Sequence, residues 1–170
     1  KKLLFAPYTS SRDICGIGGM LGNNASGEKS VKYGPSSRNV SKVKVALSDG
    51  EIYEFEPLTT KQVNAKKQLP TFEGHIYREI TKLLEENRNL IDQQHPRTVK
   101  NAAGYPLWEL WDAQQSHFNL ARLFIGAQGT LGVITEAKLK LVPMAKYERM
   151  IVVPIEKLND LAITVQTAMK

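Results

Sequence analysis

The sequence predicts an α+β fold with an antiparallel β-sheet flanked by helices, because three segments carry clear periodic patterns. Residues 43–55 alternate apolar and polar side chains around an Asp-Gly pair, which is typical of a β-hairpin. Residues 130–142 alternate over a longer span and predict a further strand. Residues 73–93 repeat apolar side chains at helical spacing, so we expect a long helix against the sheet.

Both predicted strand segments have one apolar face. In the hairpin, Val43, Val45 and Leu47 share a face, and the Asp-Gly pair at 49–50 is expected to supply the positive φ angles of a tight turn. In the long strand, alternation places six residues on one face: Leu131, Val133, Thr135, Ala137, Leu139 and Leu141. We expect each apolar face to be buried.

The helical segments have recognisable starts and ends. Thr71 is the expected N-cap of the long helix and Pro96 its stop, while one helical face carries Ile76, Ile80, Leu83, Leu84 and Ile91. Shorter helices are expected at 20–24, 60–67 and 118–125. After a connector at 143–147, we expect a short strand at 150–153 and an amphipathic helix at 155–169.

The composition limits the classes of protein to which the chain can belong. Its 170 residues are 42% apolar and 24% charged, which suits one ordinary globular domain rather than a disordered chain. No stretch approaches the roughly 20 apolar residues of a membrane span. A single cysteine excludes an internal disulfide framework, and the three histidines lack metal-ligand spacing, so no metal site is predicted.

Basic charge and glycine share one segment of the chain. Residues 1–48 carry eight Lys/Arg against two acidic residues, and six of the twelve glycines fall between positions 16 and 34. The segment fails the Gly-x-Gly-x-x-Gly dinucleotide pattern, because Leu21 stands where the third glycine belongs. It also fails the P-loop pattern, because Glu28 intervenes before Lys29. Its approachable backbone suits a diphosphate, but a surface loop with sharp turns remains the alternative.

A second glycine cluster precedes the long predicted strand. Gly126, Gly129 and Gly132 recur at every third position. Such spacing either brings backbone against a flat ligand or forms a bulge where a strand enters a sheet. Taken alone, the pattern favours the bulge. Between the two clusters, Glu109 and Asp112 beside Trp108 and Trp111 are interpreted as a loop that packs onto the domain.

Five ordered blocks together give a more specific signal than either cluster. They are Cys-Gly-Ile-Gly-Gly-Met-Leu-Gly-Asn-Asn-Ala-Ser-Gly (15–27), Val-Lys-Tyr-Gly (31–34), the stretch from Asn39 to Gly50, Lys-Asn-Ala-Ala-Gly-Tyr (100–105) and Leu-Phe-Ile-Gly-Ala-Gln-Gly-Thr-Leu-Gly-Val-Ile-Thr-Glu (123–136). In order and spacing they resemble the FAD-binding domain of the vanillyl-alcohol oxidase/p-cresol methylhydroxylase (PCMH)-type flavoproteins. The nearest resemblance is to the branch with D-lactate, glycolate and D-2-hydroxyglutarate dehydrogenases.

The resemblance implies an FAD site and the residues that line it. The expected cofactor-binding residues are Ser10, Ser11, Cys15, Gly16, Gly18, Gly19, Asn23, Asn24, Ala25, Ser26, Tyr105, Gln128, Gly129, Gly132, Val133 and Ile134. The family's usual Thr is Gly16 here, and its usual Ser-Glu is Ala127-Gln128, so backbone contacts are expected there. Cys15 is expected to be a small buried residue, since no adjacent His or basic pair activates its thiol.

The resemblance also implies how the chain is organised. Residues 1–143 would form the second subdomain of a PCMH-type FAD-binding domain, and 144–170 a connector and the start of a substrate-binding cap. The missing initiating Met and the unfinished last helix predict a piece of a longer enzyme, with the first subdomain before Lys1. The piece alone is expected to hold FAD weakly or not at all and to be inactive. Peripheral membrane association of the parent, which is expected to be cytoplasmic, is left open.

The implied reaction is oxidation of a small 2-hydroxy acid by hydride transfer to flavin N5. No residue of the chain is predicted to be catalytic, and the sequence does not define the electron acceptor. A non-enzymatic alternative is an anion or nucleic-acid binder that uses the basic residues 1–48, although nucleic acid is not the expected partner.

Overall fold

A mixture of short strands and helices makes up the computed structural model, which describes residues 2–98, 100–112, 114 and 116–168. The strands are β1 Leu3–Leu4, β2 Val40–Ala46, β3 Ile52–Phe55, β4 Leu58–Thr59, β5 His117–Phe118, β6 Val133–Leu139 and β7 Val142–Pro143. The helices are α1 Ile17–Gly22, α2 Ser30–Tyr33, α3 Thr60–Lys67, α4 Phe72–Glu86, α5 Arg88–Gln94, α6 Ala121–Phe124 and α7 Leu158–Ala168. Single 3-10 turns lie at Ser36–Asn39 and Leu107–Glu109.

The central sheet is antiparallel and has the order β3-β2-β6. β2 pairs with β3, as the predicted hairpin requires, and on its other side with β6, the predicted long strand. Val43 and Val45 point inward and are completely buried. The α+β class and the antiparallel sheet are therefore confirmed. Two smaller pairs, β1 with β7 and β4 with β5, join segments that are far apart in the sequence.

The hairpin turn is longer than the tight turn that the Asp-Gly pair predicts. The amide of Gly50 donates to the Leu47 carbonyl at 3.0 Å, and Gly50 has a positive φ of 86° whereas Asp49 does not. The turn therefore has one residue with positive φ, Gly50, and not the two that the Asp-Gly pair predicts. Asp49 instead accepts from the Tyr53 hydroxyl at 2.5 Å, and this hydrogen bond raises the pKa of Tyr53 to about 12.

The apolar face predicted for the long strand is only partly correct. β6 is irregular where Lys44 pairs with Glu136 and Val45 pairs with Ile134, so one residue of β6 has no counterpart. Such a bulge reverses the faces of the residues on either side. Ile134, Ala137 and Leu139 consequently pack on the core, while Val133 is 64% exposed.

The predicted helix at 73–93 is two helices, α4 and α5, separated at Asn87. The Thr71 side chain caps α4 by accepting from the Gly74 amide at 3.3 Å, as expected. The Asn87 side chain donates to the Leu83 carbonyl at 2.9 Å, and its backbone leaves the helical region. An Asn side chain that competes for backbone hydrogen bonds explains this break. α3 occupies the predicted residues 60–67.

Three shorter elements differ from their predictions. The first helix is α1, which ends before Asn24 takes a positive φ of 47°, rather than a turn at 20–24. The helix expected at 118–125 begins only at Ala121, because Phe118 pairs with Leu58 in the small sheet. Residues 150–153 form no strand, and their side chains are exposed. Met169 and Lys170, at the end of the predicted last helix, lie outside the described residues.

The core lies between the sheet and the helices. The chain path around it brings the two glycine clusters next to each other. The ring of Phe55 on β3 lies 4.7 Å from that of Phe124 on α6 in a tilted arrangement, and the rings of Tyr77 and Phe118 are 6.1 Å apart. α6 leads directly into the second glycine cluster, which in turn leads into β6. None of the helices described has the length and apolar character that crossing a membrane requires.

Candidate cofactor site

The first glycine cluster presents open backbone on α1 and just before it. A Cβ atom placed on Gly16, Gly18 or Gly19 would meet no other atom within 4 Å. Ile14, just before these glycines, is 90% exposed although it is apolar. A flat or extended group can therefore lie directly against this backbone, which side chains would prevent.

The structure joins the two glycine clusters by a pair of backbone hydrogen bonds. The amide of Gly126 donates to the Leu21 carbonyl at 2.9 Å, and the amide of Gln128 donates to the Gly22 carbonyl at 3.0 Å. A Cβ atom on Gly126 would lie 3.1 Å from Cβ of Asn24, so the contact is close. Segments more than 100 residues apart in sequence thus form one continuous surface. No periodic pattern in the sequence indicates this contact.

Tyr105 links a third predicted block to the same surface. Its hydroxyl lies 2.8 Å from Oγ1 of Thr130, in the second glycine cluster. Tyr105 itself is 43% exposed. The three blocks that sequence analysis assigned to the cofactor are therefore neighbours in the fold.

The hydroxyl and thiol groups in the first glycine cluster (residues 16–34) and just before it differ in their exposure and in their hydrogen bonds. Ser10 and Ser11 are exposed, with Ser11 Oγ 2.8 Å from Thr9 Oγ1. Cys15 is half-buried rather than buried, and its Sγ lies 3.6 Å from Thr9 Oγ1. Ser26 Oγ is buried and has no hydrogen-bond partner among the described residues. Ser26 is thus a hydroxyl whose hydrogen-bonding capacity the described chain does not use.

Asn24 and Ala25 face the protein more than the open surface. Asn24 is 9% exposed, and its Oδ1 accepts from the Ser37 amide at 2.9 Å. The Ala25 carbonyl accepts from both the amide and the hydroxyl of Ser36. These two residues hydrogen-bond the first cluster to the 3-10 turn that precedes β2. Asn23, the residue before them, is exposed.

The second cluster divides into an exposed turn and a packed strand entry. Gln128, Gly129 and Val133 are exposed, and a Cβ atom on Gly129 would meet nothing within 4 Å. Gly132 is different, because its Cβ atom would lie 2.7 Å from Val45 Cγ1 and 2.8 Å from the Ala46 carbonyl oxygen. Gly132 is therefore required for packing on β2, while Ile134 is half-buried against the core. The cluster combines the bulge and the open backbone that the sequence left as alternatives.

The basic charge of residues 1–48 is partly neutralised by acids from distant segments. Lys42 and Lys44 lie on the outer face of β2, where they pair with Glu54 at 2.7 Å and Glu136 at 2.6 Å. Lys29 pairs with Glu148 at 2.6 Å, and this contact raises the Lys29 pKa and lowers that of Glu148. The local charge imbalance read from the sequence is therefore smaller on the folded surface.

The loop between the clusters packs onto the domain as predicted. Trp108 stacks on His95 with ring centroids 5.2 Å apart, and Arg122 donates to Glu109 at 3.0 Å. Asp112 accepts from the Ser116 amide and hydroxyl, and these hydrogen bonds lower the Asp112 pKa to about 2. Among the residues that the structure describes, no cluster of three or more His, Cys, Asp or Glu could hold a metal ion.

The exposed residues of the joined surface suit a dinucleotide such as FAD. Open glycine backbone offers amide donors to phosphates and ribityl oxygens, and the Ser10 and Ser11 hydroxyls add short-range donors. The apolar Val133, which directly follows the second cluster, is also exposed. The unpartnered Ser26 hydroxyl is a further polar group in the same segment.

Comparison with known proteins also indicates that the chain binds FAD. A family model described as an FAD binding domain matches residues 1–56. A D-2-hydroxyglutarate dehydrogenase from Pantoea ananatis is 34% identical over 147 residues, which is 86% of this chain and 14% of that protein. A D-2-hydroxyglutarate dehydrogenase from Escherichia coli is 30% identical over 156 residues, which is 92% of this chain and 15% of that protein.

More distant relatives include a glycolate oxidase subunit from Bacillus subtilis, 26% identical over 97% of this chain and 24% of that protein. The chain therefore spans between about a seventh and a quarter of the length of these relatives. The comparisons do not favour a nucleic-acid binder. The family match covers residues 1–56, and the chain is similar over most of its length to D-2-hydroxyglutarate dehydrogenases; FAD is the cofactor that the family match indicates.

Proposed function

We propose that this chain forms one wall of the FAD site in a larger flavin-dependent dehydrogenase that oxidises a 2-hydroxy acid. The observation that carries the proposal is the joined surface of the two glycine clusters, held by the hydrogen bonds from Gly126 and Gln128 to α1. The relatives named for D-2-hydroxyglutarate and glycolate support this substrate class. A D-lactate-like acid fits the same chemistry.

Each part of the joined surface has a distinct role in the proposal. The backbone of residues 16–19 and the hydroxyls of Ser10 and Ser11 bind the ribityl chain and the diphosphate through hydrogen bonds. Gln128 and Gly129 approach the cofactor with backbone, and Val133 covers an apolar ring. Asn24 and Ala25 do not contact the cofactor in this proposal. Their polar groups hold the first cluster in place by hydrogen bonds to the 3-10 turn.

The chain's contribution to the reaction is to bind and orient the cofactor. When bound, FAD would supply the redox chemistry as the acceptor of the α-carbon hydride, and the hydroxyl proton of the acid would pass to a base outside this chain. The exposed glycine backbone excludes water from one side of the cofactor once the two are in contact. We assign no acid, base or substrate contact to this chain.

The proposed organisation is the one that the family resemblance implies. Residues 1–143 form the second FAD-binding subdomain, and residues 144–170 lead into a substrate-binding cap. The rest of the FAD site comes from polypeptide that this chain does not contain, since the chain spans about 14% of the first relative. One wall alone makes only part of the contacts to FAD.

The proposal predicts weak but specific FAD binding by this chain. Because only one wall is present, we expect a Kd above about 1 µM, measured by quenching of flavin fluorescence during titration. Riboflavin, which lacks the phosphates, is the control and should bind more weakly than FAD. A submicromolar Kd contradicts the one-wall arrangement, and equal binding of riboflavin contradicts diphosphate recognition.

Substitution of Gly19 separates cofactor binding from folding. A valine at Gly19 meets no protein atom at its Cβ, so Gly19→Val should leave the melting temperature within about 2 °C while it abolishes FAD retention. The measurement is the flavin absorbance of the purified flavoprotein that contains this chain. The matched control is Ala65→Val, an exposed position on α3.

Gly132→Val should also abolish FAD retention, but by a different route. The added side chain would collide with Val45 and with the Ala46 carbonyl, so the melting temperature should fall by several degrees. Normal flavin absorbance in folded Gly19→Val protein would contradict the proposed site.

A further inference from the structure

A chain of three oxygen atoms connects the loop at Tyr105 to the turn of the second glycine cluster. The Thr130 hydroxyl donates to the Ala127 carbonyl at 2.6 Å. The Tyr105 hydroxyl lies 2.8 Å from the same Thr130 oxygen. Because Thr130 has one hydroxyl proton and gives it to Ala127, Tyr105 must be the donor in the second bond. Such a relay is strengthened by polarisation along its length.

The turn held by this relay has an unfavourable backbone conformation. The Thr130 amide donates to the Ala127 carbonyl at 2.9 Å, which closes a four-residue turn. Its central residues both have positive φ, 52° at Gln128 and 81° at Gly129, as in a type I′ turn. Gln128 is not a glycine, so its left-handed conformation is costly and needs support from its surroundings.

The turn is also the part of the second cluster that faces open space. Gln128 and Gly129 are exposed, and a Cβ atom on Gly129 would meet nothing within 4 Å. The Gly129 amide donates to none of the described residues. The two backbone bonds to α1 hold the start of the turn, and the hydroxyl relay holds its end.

We infer that Tyr105 and Thr130 are positioning residues, which fix this turn so that the Gly129 backbone is directed at the cofactor. The inference rests on the proposed FAD site, but it changes the role of Tyr105. Sequence analysis expected Tyr105 to contact the cofactor directly. In this inference it acts through Thr130, because its hydroxyl proton is committed to that residue.

The test compares three single variants, one double variant and a control variant with the unmodified chain. Tyr105→Phe and Thr130→Val each break the relay, whereas Thr130→Ser keeps its hydroxyl. The control is Tyr147→Phe, because Tyr147 is 87% exposed and its hydroxyl is outside the relay. Hydrogen–deuterium exchange of the hydrogen-bonded Gln128 and Thr130 amides is measured without FAD, and the Kd for FAD is measured by fluorescence titration.

Loss of one hydrogen bond should raise both the exchange rate of these amides and the Kd by about three- to tenfold. Tyr105→Phe removes one hydrogen bond of the relay and Thr130→Val removes both, so the double variant should cost no more than Thr130→Val alone. Thr130→Ser should stay within about twofold of the unmodified chain.

The outcomes separate this inference from the proposed function. Unchanged exchange in Tyr105→Phe, or additive effects in the double variant, would overturn the relay. Faster exchange with an unchanged Kd would overturn the positioning role and leave FAD binding intact. If the purified flavoprotein that contains this chain holds no FAD, the proposed function fails, while exchange still reports whether the relay holds the turn.

Discussion

At the scale of single residues, the same residue type serves opposite purposes in the two glycine clusters. Gly18 and Gly19 have free space where a side chain would be, whereas Gly132 has none because Val45 and Ala46 occupy it. The sequence shows a glycine in each case and cannot distinguish them. The distinction depends on what packs against the residue, which only the fold defines.

Asp112 provides a pH-dependent test at this scale. Its hydrogen bonds from Ser116 lower the pKa from 3.8 to about 2, so the ionised form stabilises the folded loop. That stability is fully present above the unfolded pKa near 4 and is lost as the pH falls towards 2. Asp112→Asn should therefore lower the melting temperature at pH 7, and the difference should shrink as the pH falls below about 4.

The measurement for Asp112 is thermal unfolding between pH 7 and pH 3. Asp13→Asn is the control, because the side chain of Asp13 is 91% exposed and lies 3.8 Å from its partner Arg12. A melting-temperature difference for Asp112→Asn that stays constant over this range would contradict the linkage.

At the scale of elements, the sequence predicts those that local signals define. α3 begins after Thr59, which forms a capping box with Gln62, and it has the predicted bounds. The hairpin strands follow from simple alternation. The predictions failed where a tertiary contact or a competing side chain intervened: Asn87 divides the long helix, and the bulge opposite Lys44 and Val45 reverses β6. A periodic pattern contains no information about either event.

The cap of α4 is a prediction that belongs to this scale. The Thr71 hydroxyl accepts from the Gly74 amide, so Thr71→Ala leaves that amide without its partner. We expect a loss of about 1 kcal/mol in the free energy of unfolding, measured by urea titration. Thr71→Ser and Thr71→Asp retain a capping oxygen and should recover most of the stability. Equal losses in all three variants would show that the cap does not contribute.

At the scale of the whole molecule, contacts between distant segments create the site. The bonds from Gly126 and Gln128 to α1, and from Tyr105 to Thr130, join three sequence blocks into one surface. Sequence analysis found each block by resemblance, but their mutual contacts are tertiary. The pairing of charges also depends on the fold, because the acids that pair with Lys29, Lys42 and Lys44 lie between 12 and 119 positions away in the sequence.

The ion pair between Lys29 and Glu148 couples the first glycine cluster to the segment after β7. Its Nζ and Oε1 atoms are 2.6 Å apart, and it adds to the hydrogen bond from the Met144 amide to the Lys2 carbonyl in holding the 144–149 stretch. Glu148→Gln should therefore increase the rate of trypsin cleavage at Lys146 and Arg149 by about two- to fivefold at low salt, because opening of this stretch becomes easier. The increase should vanish in 1 M NaCl, where the Debye length is about 3 Å and the pair is screened in both proteins. Glu156→Gln, at an exposed position beyond the stretch, is the control and should cleave like the unmodified chain. A rate increase that persists at high salt would mean that the substitution acts on local backbone structure instead of through the ion pair.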